Sequence, residues 1–551
     1  MFKPLIAAGL LLGSGICVAA GPPLTLGDLV REGKRDSVIA AITSPDVNVN
    51  EKAPDGSTAL MWATFNVDRE MVRALLKAGA KADVTSRYGT TALGEAVKVD
   101  DLELVRILLD AGANVNSPNL DNQTALMLAN STGSLPISKL LVERGADVNV
   151  VETFRNQNAL MWAAGGNQPD ILDLLLAHRA KNVDLRAKSD DWDRQMTSEP
   201  RAQFQSRQTG GLTALLYATR SGCYRCAVAL VKAGADINKP NPDGLTPLLN
   251  ALDNKSFDIA LFLLDKGANP NTWDMSGRTP IYIAVDMNSF RAGNGGFGGP
   301  VAQRAPTKET AMEVVRRLLD MGVDTNHQLT RKRPYGAGRG RFEDYDLRGG
   351  VGPLFVATMR NDHEAMEVLL AHGAEVDLPN VLQMTPLMIA AGMRGTGRAI
   401  GGGPRGGAVG DPQAPAIKSI NLLLDAGADI NARVTDSRTH TAKIMAYVQG
   451  RDQEGRTALF AAAESGSDKV VRQLLDRGAD PKVRDAAGKY ALDVARTPPP
   501  AGPGGGAPAG ANAQAVAAAA AAAAASRAAT VAMLEPLTPK AGASGGAAPA
   551  R

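Results

Sequence analysis

Aromatic residues are scarce in this 551-residue chain, where Phe, Trp and Tyr together make up 4%. A hydrophobic content of 44% still supplies a large core, which must then be built from aliphatic and small side chains. Three cysteines exclude a disulfide-dense secreted module. Neither sign of charge dominates, since 60 Lys plus Arg stand against 57 Asp plus Glu for a net charge of +3. That balance argues against nucleic acid as a partner. Beyond residue 20 no run is apolar enough to span a membrane. The five histidines are scattered, no second Cys-x-x-Cys completes a zinc site, and no carboxylate pair or Ser/His/Asp set stands apart. The Gly-rich run 293–299 follows no strand and ends in no Gly-Lys-Ser/Thr, so it is not read as a phosphate loop. No catalytic residue, cofactor or metal is expected.

The first twenty residues read as an address. Lys3 precedes an apolar run from Leu5 to Ala19, Val18 and Ala20 supply small residues for cleavage, and Gly21, Pro22 and Pro23 break any helix beyond. A cleaved secretory signal over 1–20 is the expectation, with a periplasmic or secreted mature protein. An uncleaved anchor competes with it, but the run falls short of the roughly 20 residues a span needs and contains Gly9, Gly13 and Gly15. A lipoprotein reading of Cys17 lacks the expected pattern in Ser14-Gly15-Ile16. After cleavage only Cys223 and Cys226 remain.

Two short patterns recur along the rest of the chain. The first is Thr-Ala/Pro-Leu, at Thr58, Thr91, Thr124, Thr213, Thr246, Thr279 (with Ile281), Thr385 and Thr457, with variants at Asn158, Gly352 and Tyr490. The second is Gly-Ala-Asp/Asn-x-Asn, starting at Gly112, Gly145, Gly234 and Gly427. Where nothing is inserted, successive copies lie 33 residues apart, as in 58 to 91 to 124 and 213 to 246 to 279. Each copy reads as two short helices and a turn. Thr opens the first helix, with Pro or Ala in its first turn. Leu60, Ala63, Val72, Leu75 and Leu76 give helical apolar spacing, Gly79 or Gly112 ends the second helix, and Asp55-Gly56 or Asp243-Gly244 favours a tight turn. Leu24–Leu29, Val38–Ile42 and Val47–Asn50 read as a partial first copy, the last as a hairpin strand.

At these residues the chain resembles the ankyrin repeat family, whose period is 33. The resemblance covers roughly residues 24–496. It implies an all-α-dominated repeat solenoid of about 11–12 units, each a helix-turn-helix with a β-hairpin finger, stacked into one continuous core. It also implies a non-enzymatic scaffold that binds an unidentified protein partner through fingers and a concave helix face.

Spacing locates the interruptions. From Thr to the terminal Gly is normally 21 residues, but 43 from Thr279 to Gly322 and 42 from Thr385 to Gly427, so inserts of 22 and 21 fall between the two helices. From the last Asn/Asp to the next copy is normally 8, but 29 from Asp184 to Thr213 and 26 from Asn326 to Gly352 and from Asn431 to Thr457. These finger inserts are 21, 18 and 18 residues long. The inserted stretches run near 185–209, 291–306, 327–350, 394–415 and 433–453. The tail 497–551 is rich in Pro, Gly and Ala, with a helix expected near 513–534.

Candidate partner contacts are the finger residues Arg87, Tyr88, Leu120, Asp121, Met275, Leu382 and Gln453. The insert 327–350 adds Arg331, Lys332, Arg333 and Tyr335, a polar-aromatic loop that suits an acidic protein patch or an anionic cell-wall polymer, set against a plain solvated loop. Cys223-Tyr224-Arg225-Cys226 sits at the turn into a second helix. It allows a local disulfide, two reduced core residues or a redox pair, the last without any thioredoxin-like βαβ context.

Overall fold

The computed structural model describes residues 25–189, 210–289, 309–330, 349–393, 411–435, 453–497 and 513–539. The signal segment 1–20, most of each insert, and Arg331, Lys332, Arg333 and Tyr335 lie outside the described residues.

The described residues contain 24 α-helices, which follow one another as twelve pairs from Leu26–Arg31 with Arg35–Ile42 to Ala491–Arg496 with Ala513–Leu534. The chain divides into two compact units. One holds residues up to Phe154 together with 177–180, and the other holds Arg155–Leu176 and everything from Lys181 onward.

Within each unit the same local chemistry builds each pair. In the first unit Thr58 Oγ1 accepts the N–H of Met61 at 3.4 Å and Thr91 Oγ1 that of Gly94 at 3.1 Å. In the second, Thr213 and Asn158 do the same for Leu216 and Met161, at 3.3 and 3.1 Å. Such N-caps satisfy an amide that the helix cannot, and each is worth about 0.5–2 kcal/mol. The second helix opens on Asp68, Asp101 or Asp362, whose carboxylates cap Met71, Leu104 and Ala365. It ends on a glycine such as Gly79, at φ +93°, a left-handed turn that a Cβ would strain. Between these stops, Leu75, Leu108 and Leu141 in one unit and Leu230 and Leu263 in the other are fully buried at the 33-residue spacing. Full burial of each stabilises by about 1.5–3 kcal/mol, which one helix pair alone cannot achieve.

A second set of bonds joins one repeat to the next. Asn50 Nδ2 donates to the Gly79 carbonyl at 3.1 Å while its Oδ1 accepts the Lys81 N–H at 2.7 Å. Asn116 repeats this on Gly145 and Asp147, and Asn326 on Gly373 and Glu375. At position 377 the residue is Asp. Its Oδ2 accepts the Asp429 N–H at 2.8 Å, but its Oδ1 is buried without a partner.

The fingers differ from the expected β-hairpins. Among the described residues no strand forms, only the isolated bridges Ser189–Gly210 and Arg484–Tyr490, and residues 47–50 form a turn. The reason is that an ordinary finger closes on itself within five residues, leaving no ladder to extend. The C-terminal helix Ala513–Leu534 packs on the pairs before it. Thr530 and Leu534 are buried, and Arg527 donates to the carbonyls of Glu464, Ala495 and Thr497. No helix among the described residues is long and apolar enough to cross a membrane.

Candidate partner-binding fingers

Apart from the longer finger 152–157, each uninterrupted finger is a five-residue loop built by one device. At its first residue the backbone N–H donates to the fifth carbonyl, and the fourth N–H donates back to the first carbonyl. Asn119 to Gln123 shows the pair at 2.9 and 3.0 Å, and Asn241 to Leu245 at 3.0 and 3.0 Å. The first side chain then seats the tip from within, because Asn119 Oδ1 accepts the N–H of Asp121 and Gln123, both at 2.9 Å. Asn241, Asp274, Asn380 and Asp485 do likewise. The fourth residue is left-handed, usually glycine. At Gly89, φ +72°, a Cβ would lie 2.6 Å from the Leu120 backbone nitrogen, so the next finger needs this position bare. Fingers also bond to one another, as in Arg87 N–H to Asp55 O at 2.8 Å in the first unit and Met275 N–H to Asp243 O at 2.8 Å in the second.

The interrupted fingers keep this root. Leu329 N–H donates to Val351 O at 3.1 Å and Gly350 N–H to Leu329 O at 2.7 Å. Val434 with Arg456 and Gly455 gives 2.9 and 2.8 Å, and Ala187 N–H reaches Leu212 O at 3.0 Å. These are the bonds of an ordinary finger with the added residues placed between its first and fourth positions. The finger inserts therefore leave and return at finger tips.

Above these roots the side chains vary freely. Three finger residues of the first unit expose large apolar groups: Tyr88 is 66% exposed, Leu120 72% and Phe154 64%. Arg87 and Asp121 beside them are exposed as well. In the second unit Met275 is exposed at 38%, next to the exposed Trp273, and Leu382 is half-buried. Gln453 departs from the expectation of an exposed contact. It is 7% exposed and its Oε1 accepts from Arg456 Nη1 at 3.2 Å, which makes it part of a finger root. Trp273 is a stem residue that the repeat spacing does not single out. Phe154 lies 66 residues, two periods, after Tyr88, and the 34-residue step between Thr124 and Asn158 makes its finger one residue longer than the others.

Behind two of these fingers lie buried ion clusters. Arg278 donates to Asp253 through Nη1 and Nη2 at 2.7 and 2.8 Å and to Asp274 through Nε at 2.7 Å. Burial alone would lower the guanidinium's pKa, but the two carboxylates outweigh that and hold it above its ordinary value. Arg456 bridges Glu464 and Asp485 in the same manner, at 3.2 and 3.4 Å. Both clusters tie a finger to the end of a first helix, and neither presents a reactive group.

Cys223 and Cys226 are joined by a disulfide with Cα atoms 5.2 Å apart. Cys223 caps the helix Tyr224–Lys232, its Sγ accepting the Cys226 N–H at 3.2 Å, and both residues are buried. Trp62 and Tyr217, at one first-helix position, are half-buried, each with its polar atom engaged, by Ser57 Oγ and by Gln157 Nε2.

The family comparison agrees with this construction. The family described as ankyrin repeats (3 copies) matches residues 26–119, 96–189 and 215–292, and the family described as ankyrin repeat matches 454–486. Comparison with curated proteins finds no match. Capped helix pairs at a 33-residue spacing, left-handed glycines and five-residue fingers recur inside and outside the matched stretches, and the chain is an ankyrin repeat protein.

Proposed function

We propose that this chain is an exported, non-catalytic scaffold that holds a protein partner on its finger tips and on the first-helix face beside them. Ankyrin repeats imply protein-partner binding, and the finer reading rests on one observation. Tyr88, Leu120 and Phe154 are large, apolar and exposed, and the roots under Tyr88 and Leu120 are closed by the backbone and by the seat residue. The fold does not need Tyr88 and Leu120 there. Exposed aromatic and aliphatic anchors of this kind are the side chains that dominate protein interfaces.

Export is supported by the Leu5–Ala19 run with Val18 and Ala20, and by a disulfide, which persists in oxidising compartments. A thiol-redox role is less favoured. An exchange catalyst presents one sulfur to its substrate, and both sulfurs here are buried and already bonded.

The test is capture from the exported proteins of the source organism, with residues 21–551 and with the same chain carrying Tyr88→Ser, Leu120→Ser and Phe154→Ser. One protein recovered in near-stoichiometric amount by the first bait and lost with the second is the expected result. Equal recovery by both baits would remove these tips from the binding surface.

A further inference from the structure

The last two fingers carry a different chemistry from Tyr88 and Leu120. Arg433 and Arg484 hold the same position in adjacent repeats, one residue before the finger's first residue, Val434 or Asp485. Arg433 Nη2 donates to the Arg484 carbonyl at 3.1 Å. Arg484 is pinned in turn. Its Cζ stands 4.7 Å from the Tyr490 ring centroid, and its Nε donates to Tyr490 Oη at 2.8 Å. Lys482 is exposed on the stem of this finger and Lys489 on the finger itself.

None of these four cations is in an ion pair among the described residues, whereas the nearby second-helix cations are. Arg477 is paired with Asp425 at 2.7 Å and Lys469 with Asp411 at 2.7 Å. The carboxylates beside them bond to other groups. Asp485 is buried, accepts from Ala487 and Lys489 N–H, and pairs with Arg456. Asp480 is exposed, and its Oδ1 accepts the Lys482 N–H at 2.9 Å. The result, among the described residues, is a surface whose four cations have no ion-pair partner.

We propose that Arg433 and Arg484, flanked by Lys482 and Lys489, form a docking platform for a segment of a protein partner rich in Asp and Glu. Stacking and the Nε–Tyr490 bond fix the plane of the Arg484 guanidinium and leave its two terminal nitrogens free to receive a carboxylate side by side. Tyr490 also shields one face of that guanidinium, which lowers its hydration before a ligand arrives. Two fixed arginines on neighbouring fingers suit short-range, paired recognition. A polyanion would be served by lysines at any spacing. The platform goes beyond the scaffold reading and does not use the apolar tips, so either can fail alone.

The test uses the full chain and a fluorescein-labelled ten-residue peptide of alternating Glu and Asp, with a Gln/Asn peptide as neutral control and heparin as the polyanion arm. The acidic peptide binds, the neutral one does not, and R433Q/R484Q weakens binding by about tenfold or more. Arg484→Lys, which keeps the charge and loses the fork, gives a clear loss of its own. Lys77→Gln with Lys139→Gln, the same charge change on second helices elsewhere, leaves binding unchanged, as do the three Ser substitutions at Tyr88, Leu120 and Phe154. No binding by the natural chain, equal binding by R433Q/R484Q, or an Arg484→Lys chain indistinguishable from the natural one would overturn the proposal. Tighter binding of heparin than of the peptide would also overturn it and assign the surface to anionic polymers.

Discussion

The finger Ser86–Thr90 in the first unit and the finger Asp485–Lys489 in the second close with the same bonds. Ser86 N–H to Thr90 O is 2.9 Å and Gly89 N–H to Ser86 O 3.0 Å, while Asp485 N–H to Lys489 O and Gly488 N–H to Asp485 O are both 2.9 Å. In each, the first side chain accepts two amides from above, Ser86 Oγ from Tyr88 and Thr90, Asp485 Oδ1 from Ala487 and Lys489. What each finger offers to solvent is unlike the other. One presents Arg87 and an exposed phenol ring, the second Lys489, with the pinned Arg484 and Lys482 on the stem just before it. The difference teaches that the loop's shape is settled by its first and fourth residues and its backbone. The remaining positions are open to selection by a partner.

If root and tip are separate in this way, damage to a root must cost stability whatever the tip carries. Arg278→Met removes the cation from between Asp253 and Asp274 and leaves two largely buried carboxylates unpaired. A loss of about 3–5 kcal/mol in urea unfolding is expected. A loss below about 1 kcal/mol would mean that the cluster does not tie the finger to the helix.

A smaller effect of opposite sign is expected between repeats. Asn326 both donates and accepts across its junction, whereas Asp377 only accepts, and its second oxygen is buried without a partner. Burial, with the charge of Asp429 adding to it against the bond from the Asp429 N–H, raises the Asp377 carboxyl above its ordinary value. The folded state therefore penalises the ionised form. That penalty is present above the raised value and fades as pH falls through it towards the ordinary carboxylate value of 3.8. Asp377→Asn should stabilise by about 0.5–1.5 kcal/mol at neutral pH and by little near pH 4. Unfolding measured at both pH values checks this, and a gain that grows on acidification would contradict it.

Most of the helical framework can be read from the chain because its signals are local. A threonine that caps its own third amide, as Thr58 does for Met61, and a glycine that ends its own helix, as Gly79 does, announce themselves within a few residues. The bonds from Asn50 and Asn116 cannot be read that way, because their partners lie 29 and 31 residues on, in the next repeat. Tip exposure is similarly hidden. Gln453 stands beside an insert and looks exposed, yet it bonds back to Arg456. Phe154 stands in a finger one residue longer than the others, and Arg433 and Arg484 look like ordinary surface charge until the structure shows them without an ion pair among the described residues.

The separation of root from tip is tested most directly by the urea midpoint of the chain carrying Tyr88→Ser, Leu120→Ser and Phe154→Ser, set beside Gly89→Val. The three tip substitutions should together shift stability by no more than about 1 kcal/mol, the range of exposed sites. Gly89→Val, one change at a left-handed root against the next finger's backbone, should cost about 2 kcal/mol or more. A triple variant as destabilised as Gly89→Val would contradict the account, because the tips would then be part of what holds the fingers together.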